Sequence, residues 1–250
     1  MSDKSISPLA PMLRKLEYWA TFSESDREAL LALPHTLKTI EPNGFVVREG
    51  DKPNHSCLLI SGFVYRHKIV ADGARQIVAL HLAGDIVDLQ NSLLGSADHN
   101  VQALTRAEVA YIPGDAVREI AFARPTIGMA MWHDTLVDGS VFREWIANIG
   151  RRDARTRLAH VFCEFALRLE AAGLGEQNAW ELPMTQEQLA DVTGLTPVHV
   201  NRTLKSLDSE GLIVRNKRSI VIEDWKRLAA AGDFQSGYLH MPEHKLELLQ

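Results

Sequence analysis

The sequence predicts an α+β fold built from three successive parts: a roll of short β-strands, one long helix, and a small C-terminal domain of short helices. Three observations support this prediction. Glycines separate short apolar runs between residues 44 and 84. Apolar residues then recur at helical spacing from Pro125 to Ile149. The last hundred residues alternate short helical stretches with turn signals.

Composition restricts the class of protein. The chain has 250 residues, of which 46% are hydrophobic, as expected for a globular protein, and its net charge of -5 argues against uniform affinity for nucleic acid. No apolar run approaches the roughly 18 residues that span a bilayer, and the polar N-terminus lacks the hydrophobic core of a secretory signal. Two distant cysteines, Cys57 and Cys163, predict neither a disulfide framework nor a structural zinc site. We therefore expect a cytoplasmic protein.

The N-terminal part begins with helical spacing from Met12 to Leu33, which Pro34 ends. A different rhythm follows, in which glycines separate apolar runs at Phe45–Val47, Cys57–Ile60, Val64–Tyr65 and Ile77–Leu80. Short strands with regular turn signals are typical of a compact antiparallel barrel or jelly roll. We expect this roll to occupy residues 1–124.

A long helix and its hinge are expected at residues 125–150. Its predicted apolar stripe consists of Met129, Trp132, Leu136, Val137, Val141, Trp145 and Ile149. A helix this apolar needs a partner surface, which is either the roll or a second copy of the helix. The charged stretch RRDARTR after Gly150 marks a joint, and a domain at residues 151–232 follows it. The tail at 233–250 has no clear pattern.

The C-terminal domain has well-marked helix ends. Thr185 and Gln188 have the spacing of a capping box, and Gly194 ends that helix. Thr196 is suited to cap a second helix that has Pro197 at its first position and closes at Gly211. The stretch LIVRNKRSIVI then predicts two strands joined by a polar turn. Two helices with a short turn and a hairpin indicate a winged helix-turn-helix.

A helix-turn-helix places the start of its second helix against base edges in the major groove of double-stranded DNA. We therefore predict base contacts from Val198, Asn201 and Arg202, with Pro197 adding apolar contact. For Asn201 two roles stay open, since its amide is suited either to adenine or to a phosphate. Predicted backbone contacts are Thr185, Thr196, His199, Lys205, Lys217 and Arg218. The segment 196–218 is locally basic, with three arginines and two lysines against one aspartate and one glutamate.

Nearly the whole chain resembles the Crp/Fnr family of bacterial transcription regulators. The stretch MTQEQLADVTGLTPVHVNRTLKSLDSEGLI is similar to the family's DNA-binding signature, in which an arginine at the place of Arg202 reads a guanine. The glycine-spaced roll resembles the cyclic-nucleotide-binding fold, and residues 125–149 correspond to the family's dimerisation helix. The resemblance implies a homodimer on a palindromic operator, with RNA polymerase as a further partner of an activator.

Two departures from the family pattern carry further expectations. The phosphate-binding cassette of cyclic AMP-binding members is degenerate: Gly84 and Asp85 are present, but the place of its arginine and serine falls on Ala97 and Asp98. Without the guanidinium, and with Asp98 repelling an anion, we predict no cyclic AMP binding. The cysteine cluster of iron–sulfur members is also missing, so no cofactor is expected.

The recognition helix differs from many relatives as well. Val198 stands where they carry a glutamate that accepts a hydrogen bond from cytosine. We therefore expect the half-site to differ from the common family box at one base pair.

Two other functions stay open from the sequence. One is a haem- or other small-ligand-dependent sensor, for which His55, His67, His81 and His99 are the candidate ligands. The other is a cupin-like metal protein, although no His-x-His cluster with a following glutamate is present. No nucleophile motif, P-loop or paired-carboxylate signature predicts an enzyme.

Overall fold

The computed structural model describes residues 7–175 and 178–242, which divide into two compact units. The first unit contains the chain as far as Lys68 together with Leu80–Leu136. The second unit contains Ile69–Ala79 and the chain from Val137 onward. None of the helices in residues 7–175 and 178–242 combines the length with the apolar character that a membrane span requires.

Two short helices open the first unit, α1 (Ala10–Leu16) and α2 (Glu24–Leu31). The helical spacing from Met12 to Leu33 is therefore divided between two helices, with a non-helical break that the spacing does not predict. Ser23 accepts a hydrogen bond from the backbone N–H of Asp26, and this N-cap starts a new helix after the break. Apolar spacing alone does not reveal a break of this kind, because both helices bury leucines in the same core.

Seven strands follow, and they confirm the predicted roll. They are β1 (Thr36–Ile40), β2 (Phe45–Val47), β3 (His55–Ser61), β4 (Val64–Ile69), β5 (Arg75–His81), β6 (Asn100–Ala103) and β7 (Ala107–Pro113). They form two sheets, with strand orders β1-β7-β3 and β2-β6-β4-β5. Strand β7 is antiparallel to both neighbours, so that Tyr111 lies opposite Thr36 on one side and Cys57 on the other. Buried apolar side chains from both sheets, including Leu59, Val64 and Val101, form the core between them.

Two turns of the roll have a distinct local conformation. Gly62 turns the chain from β3 to β4 with a φ of 82°, and a Cβ there would lie 2.4 Å from the carbonyl oxygen of Arg106. This position therefore requires glycine. A 3₁₀ turn at Leu89–Ser92 lies between β5 and β6.

The helices α3 (Gly114–Ala123) and α4 (Pro125–Arg151) come next, and α4 continues from the first unit into the second. The predicted helix is confirmed, but its apolar residues do not form a single stripe. Val141 and Trp145 are buried, whereas Met129, Trp132 and Leu136 are more than half exposed. The predicted stripe thus combines two faces of the helix.

The second unit contains the remaining elements, α5 (Ala154–Ala171), β8 (Ala179–Glu181), α6 (Gln186–Thr193), α7 (Pro197–Ser209), β9 (Ile213–Asn216), β10 (Ser219–Ile222) and α8 (Trp225–Ala231). The predicted helix pair and hairpin are present, and β8 adds an edge strand to give the order β8-β10-β9. A 3₁₀ turn at Ser236–Leu239 lies in the tail, where the sequence has no clear pattern. Residues 243–250 of that tail lie outside the described residues.

Candidate DNA-binding surface

The first helix of the pair, α6, begins with the predicted capping box. The backbone N–H of Gln188 donates to Thr185 Oγ1 at 3.2 Å, and the backbone N–H of Thr185 donates to Gln188 Oε1 at 2.8 Å. Gly194 ends the helix in the left-handed conformation, with a φ of 64°. Reciprocal capping and a glycine stop hold the turn between α6 and α7 to a defined length.

The second helix, α7, has one face in the core. Thr196 Oγ1 accepts from the backbone N–H of His199 at 3.2 Å, which confirms its predicted capping role. Val200, Leu204 and Leu207 are buried, as their helical spacing predicts. Thr203 is also buried, and its hydroxyl donates to the carbonyl oxygen of His199 at 2.9 Å.

The opposite face of α7 is open to solvent. Val198 has 69% of its surface exposed, and His199, Arg202 and Lys205 are exposed as well. Within the described part of the chain, the Arg202 and Lys205 side chains form no hydrogen bond or ion pair, so their donors are available to a ligand. Asn201 differs from them, because its Nδ2 donates to Gln186 Oε1 at 3.1 Å.

The two capping threonines retain donors of their own. Thr185 and Thr196 use their hydroxyl oxygens as acceptors for the helix backbone, and both residues are exposed. A hydroxyl that accepts in this way still has its O–H to donate. Each cap is therefore chemically able to bind an acceptor such as a phosphate oxygen.

The hairpin of β9 and β10 places its two predicted contact residues differently. Lys217 is exposed at the turn, in the left-handed region with a φ of 56°. Arg218 is exposed too, but its guanidinium is bound within the protein: Nε donates to the carbonyl oxygen of Leu182 at 3.1 Å and Nη2 to that of Pro183 at 2.6 Å. Two of its five donors thus hold the hairpin to the segment before α6.

An ion pair and a hydrogen bond that the sequence did not reveal hold the helix pair onto α5. Arg155 Nε lies 3.1 Å from both carboxylate oxygens of Glu210, and this hydrogen bonding lowers the pKa of Glu210. Arg157 Nη1 donates to the carbonyl oxygen of Thr193 at 3.0 Å. These contacts fix the end of α7 and the end of α6 to the start of α5.

A further contact within the second unit anchors the end of α6. Arg75 Nε lies 2.7 Å from Asp191 Oδ2, and Gln76 Nε2 donates to the carbonyl oxygen of Asp191 at 2.6 Å. The Gln76 amide thus satisfies a backbone carbonyl that the C-terminus of α6 leaves open, while the Arg75 guanidinium neutralises the Asp191 side chain. The sequence offered no signal for this pairing, since 115 or more residues separate the partners.

The four residues of the predicted degenerate effector pocket bind different partners. Asp85 forms a 2.8 Å ion pair with Lys15 Nζ, and Gly84 adopts a φ of 100° beside it. The backbone N–H of Ala97 donates to the carbonyl oxygen of Asp51. Asp98 has an exposed carboxylate 2.6 Å from His99 Nδ1, and this hydrogen bond lowers the pKa of Asp98.

A fully buried carboxyl that the sequence did not single out lies in the same unit. Asp88 Oδ1 accepts from the backbone N–H of Cys57 at 2.5 Å, and Oδ2 lies 3.3 Å from Asn91 Nδ2. Burial raises the pKa of Asp88 to about 7, despite these hydrogen bonds. Arg66 lies nearby and donates to the carbonyl oxygen of Val87.

The four histidines predicted as candidate metal or haem ligands differ in burial and in the residues around them. His67, His81 and His99 are buried, and His55 packs edge-on against Tyr111. Among the described residues, no group of three or more histidines, cysteines, aspartates or glutamates could hold a metal ion. Cys57 and Cys163 are buried thiols, and burial raises the pKa of both.

Two capped helices, an outward face with free cations and a three-stranded wing define a DNA-binding protein of the winged helix-turn-helix class. Comparison with known sequences agrees: residues 156–231 match the family described as the Crp-like helix-turn-helix domain, and residues 37–124 match the cyclic nucleotide-binding domain. The chain belongs to the Crp/Fnr family and is a transcriptional regulator of that type, with a helix-turn-helix DNA-binding domain.

Individual relatives are similar over most of their length. The transcriptional activator protein FnrL of Cereibacter sphaeroides is 28% identical over 231 residues, covering 90% of this chain and 92% of the relative. The fumarate and nitrate reduction regulatory protein of Escherichia coli is 25% identical, covering 84% and 83%. The solved structure of FixK2 from Bradyrhizobium japonicum superposes with a TM-score of 0.73 at 24% identity, covering 80% of this chain and 98% of that one.

Proposed function

We propose that the chain binds a two-fold symmetric DNA operator as a homodimer, with α7 of each protomer reading one half-site. The observation that carries this proposal is the outward face of α7, where Val198, Arg202 and Lys205 are exposed. A helix-turn-helix dimer reads half-sites about one DNA turn apart, and a two-fold protein matches a palindromic site.

In this proposal three side chains contact bases. Arg202 donates to guanine O6 and N7, and Val198 contacts a thymine methyl group. Asn201 is the third base contact, at the neighbouring base pair. Because Val198 has no acceptor, the half-site loses the cytosine contact that a glutamate at this position makes.

The remaining predicted residues position the protein on the backbone. Lys205 and Lys217 supply ammonium groups, and His199 supplies a ring N–H. Thr185 and Thr196 donate their free hydroxyl protons to phosphates. Arg218 keeps part of its guanidinium for a phosphate while the rest anchors the wing.

The exposed face of α4 supports the homodimer. Met129, Trp132 and Leu136 are separated by three and four residues, which is the alternation of a coiled-coil seam. Ile146, ten residues after Leu136, continues the same register and is 73% exposed. Large exposed apolar side chains in one row mark a surface that needs a partner. A second copy of α4 provides such a surface.

The charge environments of Asp85 and Asp98 support DNA binding without cyclic AMP. Asp85 is already neutralised by Lys15, and Asp98 presents negative charge where the family's phosphate-binding arginine is expected. In this proposal residues 1–124 form a sensing or protein-contact domain, 125–150 the dimerisation helix and hinge, and 151–232 the DNA-binding domain. RNA polymerase is the expected contact if the protein acts as an activator, and the cytoplasm is its location.

Equilibrium binding of the purified full-length chain to duplex DNA tests this proposal. Sedimentation should count two chains per duplex, and added cyclic AMP should leave the affinity unchanged. One chain per duplex would contradict the homodimer. A cyclic AMP-dependent increase in affinity would contradict the assignment of the pocket as degenerate.

A further inference from the structure

One hydrogen bond links the start of α6 to the reading face of α7. Asn201 Nδ2 donates to Gln186 Oε1 at 3.1 Å. Gln186 is the first residue of α6, directly after its N-cap, and Asn201 directly precedes the free guanidinium of Arg202. Both amides are partly exposed, so the pair lies at the surface rather than in the core.

The direction of this hydrogen bond decides what Asn201 can offer a base. A primary amide has an acceptor end and a donor end with two hydrogens. Because Gln186 accepts one Nδ2 hydrogen, Oδ1 is turned away from Gln186, and one Nδ2 hydrogen remains. Asparagine in that state presents an acceptor and a donor side by side, which matches adenine N6 and N7.

We propose that Gln186 is a positioning residue that orients the Asn201 amide so that α7 selects adenine beside the guanine contacted by Arg202. The inference rests on the proposed DNA-binding function and deepens it. Guanine presents only acceptors at the corresponding major-groove positions, and thymine presents one acceptor and a methyl group. The orientation set by Gln186 therefore discriminates against both.

The fold does not depend on the Gln186 side chain. Thr185 and Gln188 cap α6 without it, and the buried side chains of the helix pair, such as Leu189, Val200 and Leu204, belong to other positions. Substitution at this partly exposed position should leave the helix pair intact. An effect on sequence preference then has a direct origin in the orientation of Asn201.

The experiment measures the affinity of the full-length protein for four duplexes that differ only at the base pair assigned to Asn201, at one salt concentration. The readout is the ratio of affinities for adenine and the other bases. Gln186→Glu retains an acceptor for Nδ2, so the ratio should persist even though the added negative charge lowers affinity for all four duplexes. Gln186→Lys offers only donors, so Oδ1 should turn toward it and the adenine preference should fall about tenfold.

Asn201→Ala completes the test, because it should abolish the preference for adenine. In that background, adding Gln186→Lys should not change the ratio of affinities any further. A change in affinity by the same factor for all four duplexes in Gln186→Lys, in either direction, would overturn the inference and leave position 186 with an electrostatic effect on the DNA backbone alone. A consensus without adenine at this position would overturn it as well, with the DNA-binding function intact. Absence of any sequence-specific binding by the unsubstituted protein would overturn both.

Discussion

Tyr238 Oη donates a hydrogen bond to Glu164 Oε2 at 2.7 Å and thereby ties the C-terminal segment to the middle of α5. Glu164 is buried, and it also accepts from Trp145 Nε1 of α4 at 2.9 Å. Arg168, one turn further along α5, lies 3.3 Å from the same carboxylate. One buried carboxylate therefore holds α4, α5 and the C-terminal segment together within the second unit.

Further contacts of the C-terminal segment surround this carboxylate. His160 Nδ1 donates to the carbonyl oxygen of Gly232 at 3.1 Å, and its Nε2 lies 3.2 Å from Tyr238 Oη. Asp233 forms a 3.0 Å ion pair with Arg152 at the joint between α4 and α5. Because residues 156–231 are the part that matches the family's helix-turn-helix domain, this anchoring is added by sequence beyond it.

Removal of the Tyr238 hydroxyl should destabilise the protein. In Tyr238→Phe the Glu164 carboxylate loses one donor while buried, and hydrogen bonds to charged groups contribute about 1.5–3 kcal/mol. Urea unfolding should show a lower free energy of unfolding of that order. Gln235→Ala, an exposed change in the same segment, is the control. Equal unfolding midpoints for the two variants would contradict the role of the hydroxyl.

His160 should make stability fall on acidification. Burial lowers the pKa of His160, and the opposing influence of Glu164 and Glu144 does not reverse this, while Arg152 adds to it. Below about pH 6.5 the unfolded histidine binds a proton that the folded one does not, which costs up to about 1.4 kcal/mol per pH unit. Unfolding measured from pH 7.5 to 5.5 should show a steeper loss than in His160→Gln. Parallel curves would refute a buried neutral imidazole.

Asp88 should have the opposite effect on the pH dependence. Because its pKa is raised to about 7, the folded state keeps a proton that the unfolded state, with a pKa near about 3.9, has released. The free energy of unfolding should therefore decrease as pH rises from about 4 to about 7, by up to about 1.4 kcal/mol per unit. The difference between the wild type and Asp88→Asn across this range isolates the effect. A difference that does not change with pH would mean that Asp88 is ionised throughout.

Arg202→Ala should weaken DNA binding and relax the preference for guanine at one position of each half-site. The expected loss of discrimination is about 1–3 kcal/mol, which is the contribution of the bidentate guanine contact that we propose for Arg202. Competition between duplexes that differ at that base pair measures it.

Lys217→Ala is the matched control for this prediction, because Lys217 is an exposed cation on the wing rather than on α7. It should weaken binding to all sequences equally and reduce the salt dependence. If Arg202→Ala also weakens all sequences equally, Arg202 is a phosphate contact and the reading role is wrong.

Trp132→Glu should dissociate the proposed homodimer. A charge replaces an exposed aromatic side chain in the proposed α4 interface, and loss of such an anchor costs at least about 2 kcal/mol, or about 30-fold in the dimer dissociation constant. Sedimentation velocity over a concentration series measures the shift. Phe122→Glu, on the exposed side of α3, is the control and should leave the dimer unchanged. If Phe122→Glu dissociated the dimer and Trp132→Glu did not, the dimer interface would include α3 rather than α4.

Local signals in the sequence were sufficient to predict where the helices α6 and α7 begin and which face of α7 is buried. The capping box at Thr185 and the cap at Thr196 act within one helical turn, and both appear in the structure as predicted. The spacing of Val200, Leu204 and Leu207 likewise identified the buried face of α7 and, by exclusion, its outward face.

Contacts between residues distant in sequence could not be predicted in the same way. Arg218 resembles any other wing cation until the structure shows its bonds to Leu182 and Pro183. Asp88 follows Ile86 and Val87 with no spacing that distinguishes it, and only the fold brings its carboxyl to the backbone N–H of Cys57. Tyr238 lies in a segment whose sequence shows no periodicity. Its position is fixed by a hydrogen bond to Glu164 of α5, which the sequence of the segment itself does not reveal.

Selection from a random duplex library by the purified full-length protein, with no ligand added, is the decisive measurement of sequence-specific DNA binding by a homodimer. We expect a palindromic consensus with a guanine in each half-site and with half-site centres about one DNA turn apart. At the base pair that we assign to Val198, the consensus should differ from the common family box. Recovery of no consensus would contradict effector-independent, sequence-specific binding by a homodimer.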